Sequence, residues 1–188
     1  MKVAVYCSAK DSIPAEYLAL GDQVGCRLAR NGHSLVYGGA TGGLMTRVSE
    51  AFKQTAQTLP QDERGEIIGV VPQRIIYSGR RATNCDHLIE VGTMSERKET
   101  MRQEADCFVC LPGSYGTLDE MFDVIASGTV GEHKKPIYIL NYKGFYNSLR
   151  EQISLMKKLQ FIPEVEQYKP CFADTIEELF NHINTQRV

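Results

Sequence analysis

Several features that would assign a protein class are missing from this sequence of 188 residues, which contains no tryptophan. No apolar run approaches the roughly 20 residues that a membrane-spanning helix needs. The 21 lysine and arginine residues are scattered and the net charge is −2, which argues against a nucleic-acid polymer as a partner. The first apolar run is shorter than the core of a secretion signal and turns polar at Lys10. We therefore expect a cytoplasmic protein with no membrane partner.

Signals for a metal, a cofactor or a disulfide are also weak. No ligand spacing such as His-Glu-x-x-His occurs and no cofactor motif is complete, so we expect neither a metal nor a cofactor. Of the six cysteines, only Cys107 and Cys110 have a motif-like spacing. They lie in an apolar run that predicts a strand, where side chains three positions apart point to opposite faces. We interpret all six as reduced and mostly buried.

The alternation of short apolar runs with longer helical stretches predicts one α/β domain spanning residues 1–188. This order is typical of a Rossmann-like, open parallel sheet with helices on both faces. The predicted strands are Val3–Cys7, Ser34–Tyr37, Ile67–Val71, Leu88–Val91, Cys107–Leu111 and Pro136–Leu140. The predicted helices are Pro14–Arg30, Gly42–Gln54, Ser95–Glu104, Thr117–Ser127, Phe145–Lys158 and Thr175–Thr185, the last with Asp174 as its N-cap. The segment Tyr77–Asp86 lacks periodicity and is long enough to be a functional loop.

Ligands of an open parallel sheet bind at the carboxyl ends of its strands, so the residues that follow each strand are the candidates. Ser8 follows the first strand, where it either donates to an anion or belongs to an ordinary turn. After the second strand, Gly39, Gly42 and Gly43 allow a ligand to approach the backbone. A tight turn alone would need the same glycines. Their spacing matches neither a dinucleotide fingerprint nor a P-loop.

The strongest signal follows the fifth strand and consists of Gly113, Ser114, Tyr115, Gly116 and Thr117. The N–H groups and hydroxyls of this segment predict a phosphate site at the start of a helix. Glu120 lies close to the mouth of that cradle. Thr117-x-x-Glu120 also matches a capping box, in which the glutamate only satisfies a backbone N–H. The spacing alone leaves both interpretations open.

A second candidate site follows the fourth strand. On a helix, Met94, Arg97, Lys98 and Met101 share one face. They either contact a sugar or phosphate and a flat base, or form a core methionine pair beside solvated charges. Two such motifs after separate strands of one sheet favour a nucleotide site.

These motifs resemble those of the Lonely Guy (LOG) family. MSERKETM and PGSYGTLDE are similar to its paired M-x-x-R-K and P-G-G-x-G-T-x-x-E signatures. VYCSAK, VYGGATGGLM and GEHKKPIYILNYKGFY extend the resemblance over nearly the whole chain. It implies a Rossmann-like homodimer that hydrolyses the N-glycosidic bond of AMP or an N6-modified AMP, as in cytokinin biosynthesis. By the same resemblance, Arg97 and Glu120 are the catalytic pair, Met94 and Lys98 lie beside the ligand, and Gly113 to Thr117 hold the phosphate.

The chain departs from the family pattern at four places. Ser114 replaces a glycine and would be strained at a positive φ. Ser95 replaces a histidine, Ala126-Ser127 replaces a Thr-Trp pair, and an acidic residue is replaced around Gly79–Arg80. We expect these changes to affect the choice of substrate more than the type of reaction.

Two other functions have less support in the sequence. Many members of the family carry the label "lysine decarboxylase", but that chemistry needs an electron sink such as PLP, and no lysine here has a supporting context. The alternative to an enzyme is a non-catalytic carrier of a nucleotide or small molecule on the same fold. A carrier would have no need for Arg97 and Glu120 together.

Overall fold

The computed structural model describes residues 1–163 and 165–185, so positions 164 and 186–188 of the predicted domain lie outside the described residues. Seven strands form one sheet: β1 Lys2–Tyr6, β2 Ser34–Tyr37, β3 Ile67–Pro72, β4 His87–Val91, β5 Cys107–Cys110, β6 Ile137–Leu140 and β7 Cys171–Ala173. Their order is β4-β3-β2-β1-β5-β6-β7, and every neighbouring pair is parallel. The predicted Rossmann-like fold is confirmed.

Helices connect the strands and cover both faces of the sheet. They are α1 Ala15–Arg30, α2 Gly43–Gln57, α3 Gln73–Tyr77, α4 Met94–Glu104, α5 Tyr115–Thr129, α6 Asn147–Lys158 and α7 Ile176–Thr185. None of the described helices is long and apolar enough to cross a membrane.

Alternation along the central strands divides the core into two apolar clusters. Val3 and Val5 of β1 pack with α1, α2 and α7, whereas Ala4 and Tyr6 pack on the opposite face with residues of α4 and α5. The central strands are therefore apolar on both faces over most of their length, as expected of a parallel sheet covered on both sides, whereas the edge strand β4 carries the exposed His87 and Glu90. In β5, the same alternation puts Cys107 in the first cluster and Cys110 in the second, and all six thiols are free. The prediction that Cys107 and Cys110 point to opposite faces of their strand is confirmed.

The structure adds two elements to the predicted ones and corrects one predicted helix cap. The strand β7 and the helix α3 were not predicted, because three and five residues are too short to show a period. The predicted N-cap Asp174 is wrong, since Thr175 Oγ1 accepts the Glu178 N–H at 3.1 Å. The Asp174 carboxylate instead accepts hydrogen bonds from Asn141 and Arg150.

The strand order creates a crevice beside β1. From β1 the chain runs outward to β2, β3 and β4, and then crosses back to β5 on the other side of β1. Loops that leave neighbouring strands in opposite directions open a space at the carboxyl edge, which is where ligands of such folds bind. The Ser8 N–H donates to Pro112 O at 3.2 Å and joins the two loops.

Candidate active site

A cavity of about 170 Å³ opens at this edge of the sheet, and we call it the edge cleft. Its lining residues are Cys7, Ala9, Gly38, Ala40, Met45, Ile75, Arg80, Met94, Arg97, Ser114, Gly116, Thr117 and Glu120. Ser114 also lines a neighbouring apolar pocket together with Tyr17 and Phe145. The cleft thus collects residues that follow five different strands of the sheet, and it unites both motifs singled out in the sequence.

Arg97 and Glu120 form an ion pair on the floor of the cleft. Arg97 Nη1 donates to Glu120 Oε1, and Arg97 Nε donates to Val70 O at 3.1 Å. Both side chains are only 9% exposed. A Cβ atom at Gly38 would lie 2.1 Å from Arg97 Nη2, so the glycine is what allows the guanidinium to lie there. Hydrogen bonds from Nη1 and Nε therefore fix the Arg97 guanidinium, and the absence of a side chain at Gly38 leaves room for Nη2.

The capping interpretation of Glu120 is wrong. Helix α5 begins at Tyr115 with Ser114 as its N-cap, so Thr117 lies inside the helix and Glu120 in its second turn. The carboxylate pairs with Arg97 and makes no capping bond. Burial raises the pKa of Glu120 above its ordinary value of 4.5, while the charge of Arg97 and its hydrogen bond oppose this rise.

The amino end of α5 has no side-chain cap. By contrast, Thr93 caps α4 by accepting the Glu96 N–H at 3.1 Å. The first N–H groups of a helix have no partner within it, and together with the helix dipole they attract anions. A Cβ atom at Gly116 would meet nothing within 4 Å, which leaves this end of the cleft open. The Tyr115 side chain is 90% exposed.

Ser114 is not strained at the position where the family pattern has glycine. Its φ is −102° and its ψ is −158°, which is extended backbone that any residue adopts. Gly113 has a stricter requirement, because a Cβ atom there would lie 2.0 Å from Thr117 Oγ1. The serine is therefore tolerated and adds a hydroxyl to the lining of the cleft.

Two N–H groups of the glycine loop after β2 are already hydrogen-bonded to side chains of the protein. Gly43 N–H donates to Asp11 Oδ1 at 2.8 Å, and Gly42 N–H donates to Thr46 Oγ1 at 2.7 Å. Gly39, Gly42 and Gly43 all have positive φ. Cβ atoms at Gly42 and Gly43 would lie 2.4 and 2.5 Å from the carbonyl oxygens of Ala9 and Lys10. The tight turn against the loop after β1 requires these glycines.

The residues predicted to share one face of α4 have different surroundings. Met94 lines the cleft and Met101 is fully buried in the core. Lys98 Nζ lies 2.8 Å from Asp119 Oδ1 and 3.4 Å from Asp123 Oδ1, and Lys98 is not among the lining residues.

Ser8 is buried beside the cleft rather than in it. Its Oγ accepts the Lys10 N–H at 3.2 Å, and the residue lines the neighbouring apolar pocket. Among the residues that the structure describes, no group of three or more histidine, cysteine, aspartate or glutamate side chains is placed to hold a metal ion.

The predicted site residues did not include Gly38 and Arg80, which both line the cleft. Arg80 belongs to the aperiodic segment Tyr77–Asp86. The Thr41 N–H donates to Arg80 O at 2.8 Å and the Ala82 N–H donates to Gly39 O at 2.9 Å, so this segment is strapped to the glycine loop. Arg80 Nη2 also donates to Thr41 O at 2.7 Å. The length of the loop was the one sequence signal for this arrangement.

Comparisons with known proteins show the family to which the chain belongs. Residues 49–183 match the family described as "Possible lysine decarboxylase". The chain is similar to the cytokinin riboside 5′-monophosphate phosphoribohydrolase of Mycobacterium tuberculosis, with 32% identity over 94% of this chain and 89% of that protein. It is also similar to the enzyme of that name, with the suffix LOG, from Oryza sativa subsp. japonica, with 34% identity over 95% of this chain and 70% of that protein.

Solved structures share the fold at lower identity. A molybdenum cofactor binding protein from Rippkaea orientalis superposes with a TM-score of 0.72 at 19% identity, covering 100% of this chain and 97% of that one. The molybdenum cofactor carrier protein of Chlamydomonas reinhardtii gives a TM-score of 0.70 at 17% identity, covering 98% and 96%. These two likenesses concern the fold alone.

Proposed function

This chain belongs to the Lonely Guy (LOG) family, which is described as "Possible lysine decarboxylase", and from that membership we propose that it is a nucleoside 5′-monophosphate phosphoribohydrolase. The reaction cleaves the N-glycosidic bond of AMP, or of an N6-modified AMP, and releases the base and ribose 5-phosphate. The observation that carries the proposal is the buried Arg97–Glu120 pair, which lines one cleft with the uncapped end of α5.

The open amino end of α5 is the place for the phosphate. Ser114 and Thr117 supply hydroxyls there, and the first turn supplies N–H groups without partners in the helix. The glycine loop after β2 is a weaker candidate, because Asp11 and Thr46 already accept two of its N–H groups. The substrate then extends from α5 across the Arg97–Glu120 pair, with its base between the side chains that follow β2, β3 and β4.

Glu120 is the catalytic carboxylate of this proposal. Cleavage of the C1′–N bond builds positive charge at C1′ and the ring oxygen, as in glycoside hydrolysis. A carboxylate next to C1′ stabilises that charge and orients a water, whose oxygen bonds to C1′ while a proton goes to the departing base. Arg97 keeps the carboxylate ionised and in place, and neutralises negative charge on the base.

The phosphate is remote from the bond that breaks, so its binding energy serves to position the ribose over Glu120. A nucleoside without the 5′-phosphate should therefore be a poor substrate. Lysine decarboxylation is not part of the proposal. It requires a Schiff base to a cofactor such as PLP, and none of the described residues that line the cleft is a lysine.

The proposal includes a homodimer. Family resemblance implies a homodimer with its sites near the interface, and light scattering after gel filtration would measure twice the chain mass of 21.1 kDa.

The alternative function is a non-catalytic carrier. A carrier of nucleotides or other small molecules would have no use for an arginine and a glutamate paired beside the anion site. Their placement in one cleft favours the enzyme.

The deciding experiment is release of free base from a panel of nucleoside 5′-monophosphates, including AMP and isopentenyladenosine monophosphate. Glu120→Gln serves as the control for the chemistry. Base release by the wild type that disappears in the variant supports the hydrolase. Binding without release from every nucleotide would favour the carrier.

A further inference from the structure

Arg80 lies in the edge cleft and has no role in the reaction proposed above. Its side chain makes one hydrogen bond among the described residues, from Nη2 to Thr41 O at 2.7 Å. That bond fixes the guanidinium at the cleft wall, close to Gly42, where a Cβ atom would lie 3.0 Å from Nη2. Its Nε and Nη1 have no hydrogen-bond acceptor in the part of the chain that the structure describes.

The strand order tells which part of a nucleotide this arginine would meet. The phosphate end of the cleft is formed by α5, which follows β5, whereas Arg80 follows β3. In the sheet, β2 and β1 lie between those two strands. Three intervals of about 4.8 Å therefore separate the two ends of the edge. With the phosphate at α5 and the ribose over Glu120, the base is the part that reaches Arg80.

The walls at the base end are apolar apart from this arginine. Met45, Ile75 and Met94 line the cleft there and suit the flat faces of a purine. Among the described residues that line the cleft, the one carboxylate is Glu120, and Asp11, which lines the adjoining cavity beside Arg80, already accepts the Gly43 N–H at 2.8 Å. The carbonyls of Gly39 and Thr41 already accept hydrogen bonds from Ala82 N–H and Arg80. Among the described residues that line this end of the cleft, Arg80 is thus the charged group available to the edge of a base.

This chemistry discriminates between purines. A guanidinium only donates, and its fork matches two adjacent acceptors. The O6 and N7 atoms of guanine and hypoxanthine form such a pair, whereas adenine presents one acceptor and an amino donor. We propose that Arg80 recognises the base and extends the substrate class to 6-oxopurine nucleoside 5′-monophosphates, which the protein prefers over AMP. This inference rests on the proposed function and names the base that its site selects.

The test compares kcat/KM for GMP, IMP and AMP in the wild type and in three variants. A bidentate contact to a base typically discriminates by about tenfold to hundredfold, so GMP and IMP should exceed AMP by that factor. Arg80→Met should bring the ratio towards one. Arg80→Gln should invert it, because a glutamine amide pairs with the N6 and N7 of adenine. Arg81→Ala is the matched control, since Arg81 is exposed, pairs with Glu90 and does not line the cleft.

Other outcomes would overturn the inference. A wild type that prefers AMP refutes it, as does an equal loss for all three nucleotides in Arg80→Met, which is expected if Arg80 only latches the loop or binds phosphate. Dissociation constants from calorimetry are measured in parallel. If no nucleotide releases its base, the hydrolase proposal fails. The affinity ratio of IMP to AMP and its change in Arg80→Gln then still decide whether Arg80 reads the base.

Discussion

Arg97 and Glu120 are 23 positions apart in the sequence and form a buried ion pair at the carboxyl edge of the sheet. Each comes from a different helix, and each of the two helices follows a strand of the sheet. Removing one member of a buried pair leaves the other charge without a partner, which is strongly destabilising. Variants at this site therefore need a measurement of folding beside each measurement of activity.

Glu120→Gln should lower kcat by at least about 10²- to 10⁴-fold, the usual cost of losing a catalytic acid or base. The amide is the same size and its oxygen still accepts a hydrogen bond from Arg97, but the Arg97 charge loses its partner, so urea unfolding of the variant is measured beside its activity. The measurement is base release under single-turnover conditions, with nucleotide binding by calorimetry as the control. Near wild-type turnover in a folded variant would refute the role of Glu120.

The activity of the wild type should fall on the acid side with an apparent pKa above the ordinary glutamate value of 4.5. The reason is that burial raises the pKa of Glu120 and the reaction needs its charged form. The same group binds a proton more readily in the folded state. Its contribution to stability is therefore greatest at low pH and declines as the pH rises from 4.5 through the raised value. A profile of kcat against pH tests the prediction for activity. Urea unfolding of the wild type and of Glu120→Gln over the same pH range tests the prediction for stability.

Gly38→Ala should displace Arg97, because the added methyl group would lie 2.1 Å from Nη2. Misplacing a catalytic group by about 1 Å can cost about 10²-fold in rate, and we expect a loss of that order in kcat. Gly92→Ala is the matched control, since its methyl group would meet only the end of the Glu96 side chain at 3.1 Å. Equal activities of the two variants would contradict the steric argument.

Thr175→Ala should lower the free energy of unfolding by about 1 kcal/mol, the typical cost of losing an N-cap. The Thr175 hydroxyl accepts the Glu178 N–H at the start of α7, far in sequence from the cleft residues. Urea denaturation measures the change, and base release should not respond to it. An unchanged stability would show that the cap lies elsewhere.

The sequence predicted the sheet well because its central strands are covered on both faces. Runs such as Ile67–Val71 are apolar throughout, and their ends lie within one residue of the observed strand. The strand Cys171–Ala173 escaped notice because it has three residues and lies at the edge of the sheet. At the start of α7, Asp174 and Thr175 are each followed by a glutamate three residues later. The spacing of a capping box therefore fits both residues and does not show which one is the N-cap.

The sequence predicted those residues of the candidate site that belong to recognisable motifs. It did not predict the contacts between residues that are far apart in the chain. Family signatures pointed to Arg97 and Glu120, which the structure brings together. The same helix face carries Lys98, but its surroundings are set by Asp119 on another helix. Likewise, no local sequence pattern predicts that Asp11 accepts a hydrogen bond from the N–H of Gly43, which lies 32 positions away. Arg80 is placed by backbone pairing between two loops, which has no signature in either loop.

The exposed Tyr115 ring in the first turn of α5 has a practical consequence for spectroscopy. Because the chain contains no tryptophan, excitation at the red edge of protein absorption meets no intrinsic fluorophore. A Tyr115→Trp variant would therefore carry a single emitter in the first turn of α5, on a side chain that is 90% exposed and contributes nothing to the core. Quenching or a wavelength shift of that emitter would report occupancy of the cleft in real time, independently of turnover and without a chemical label.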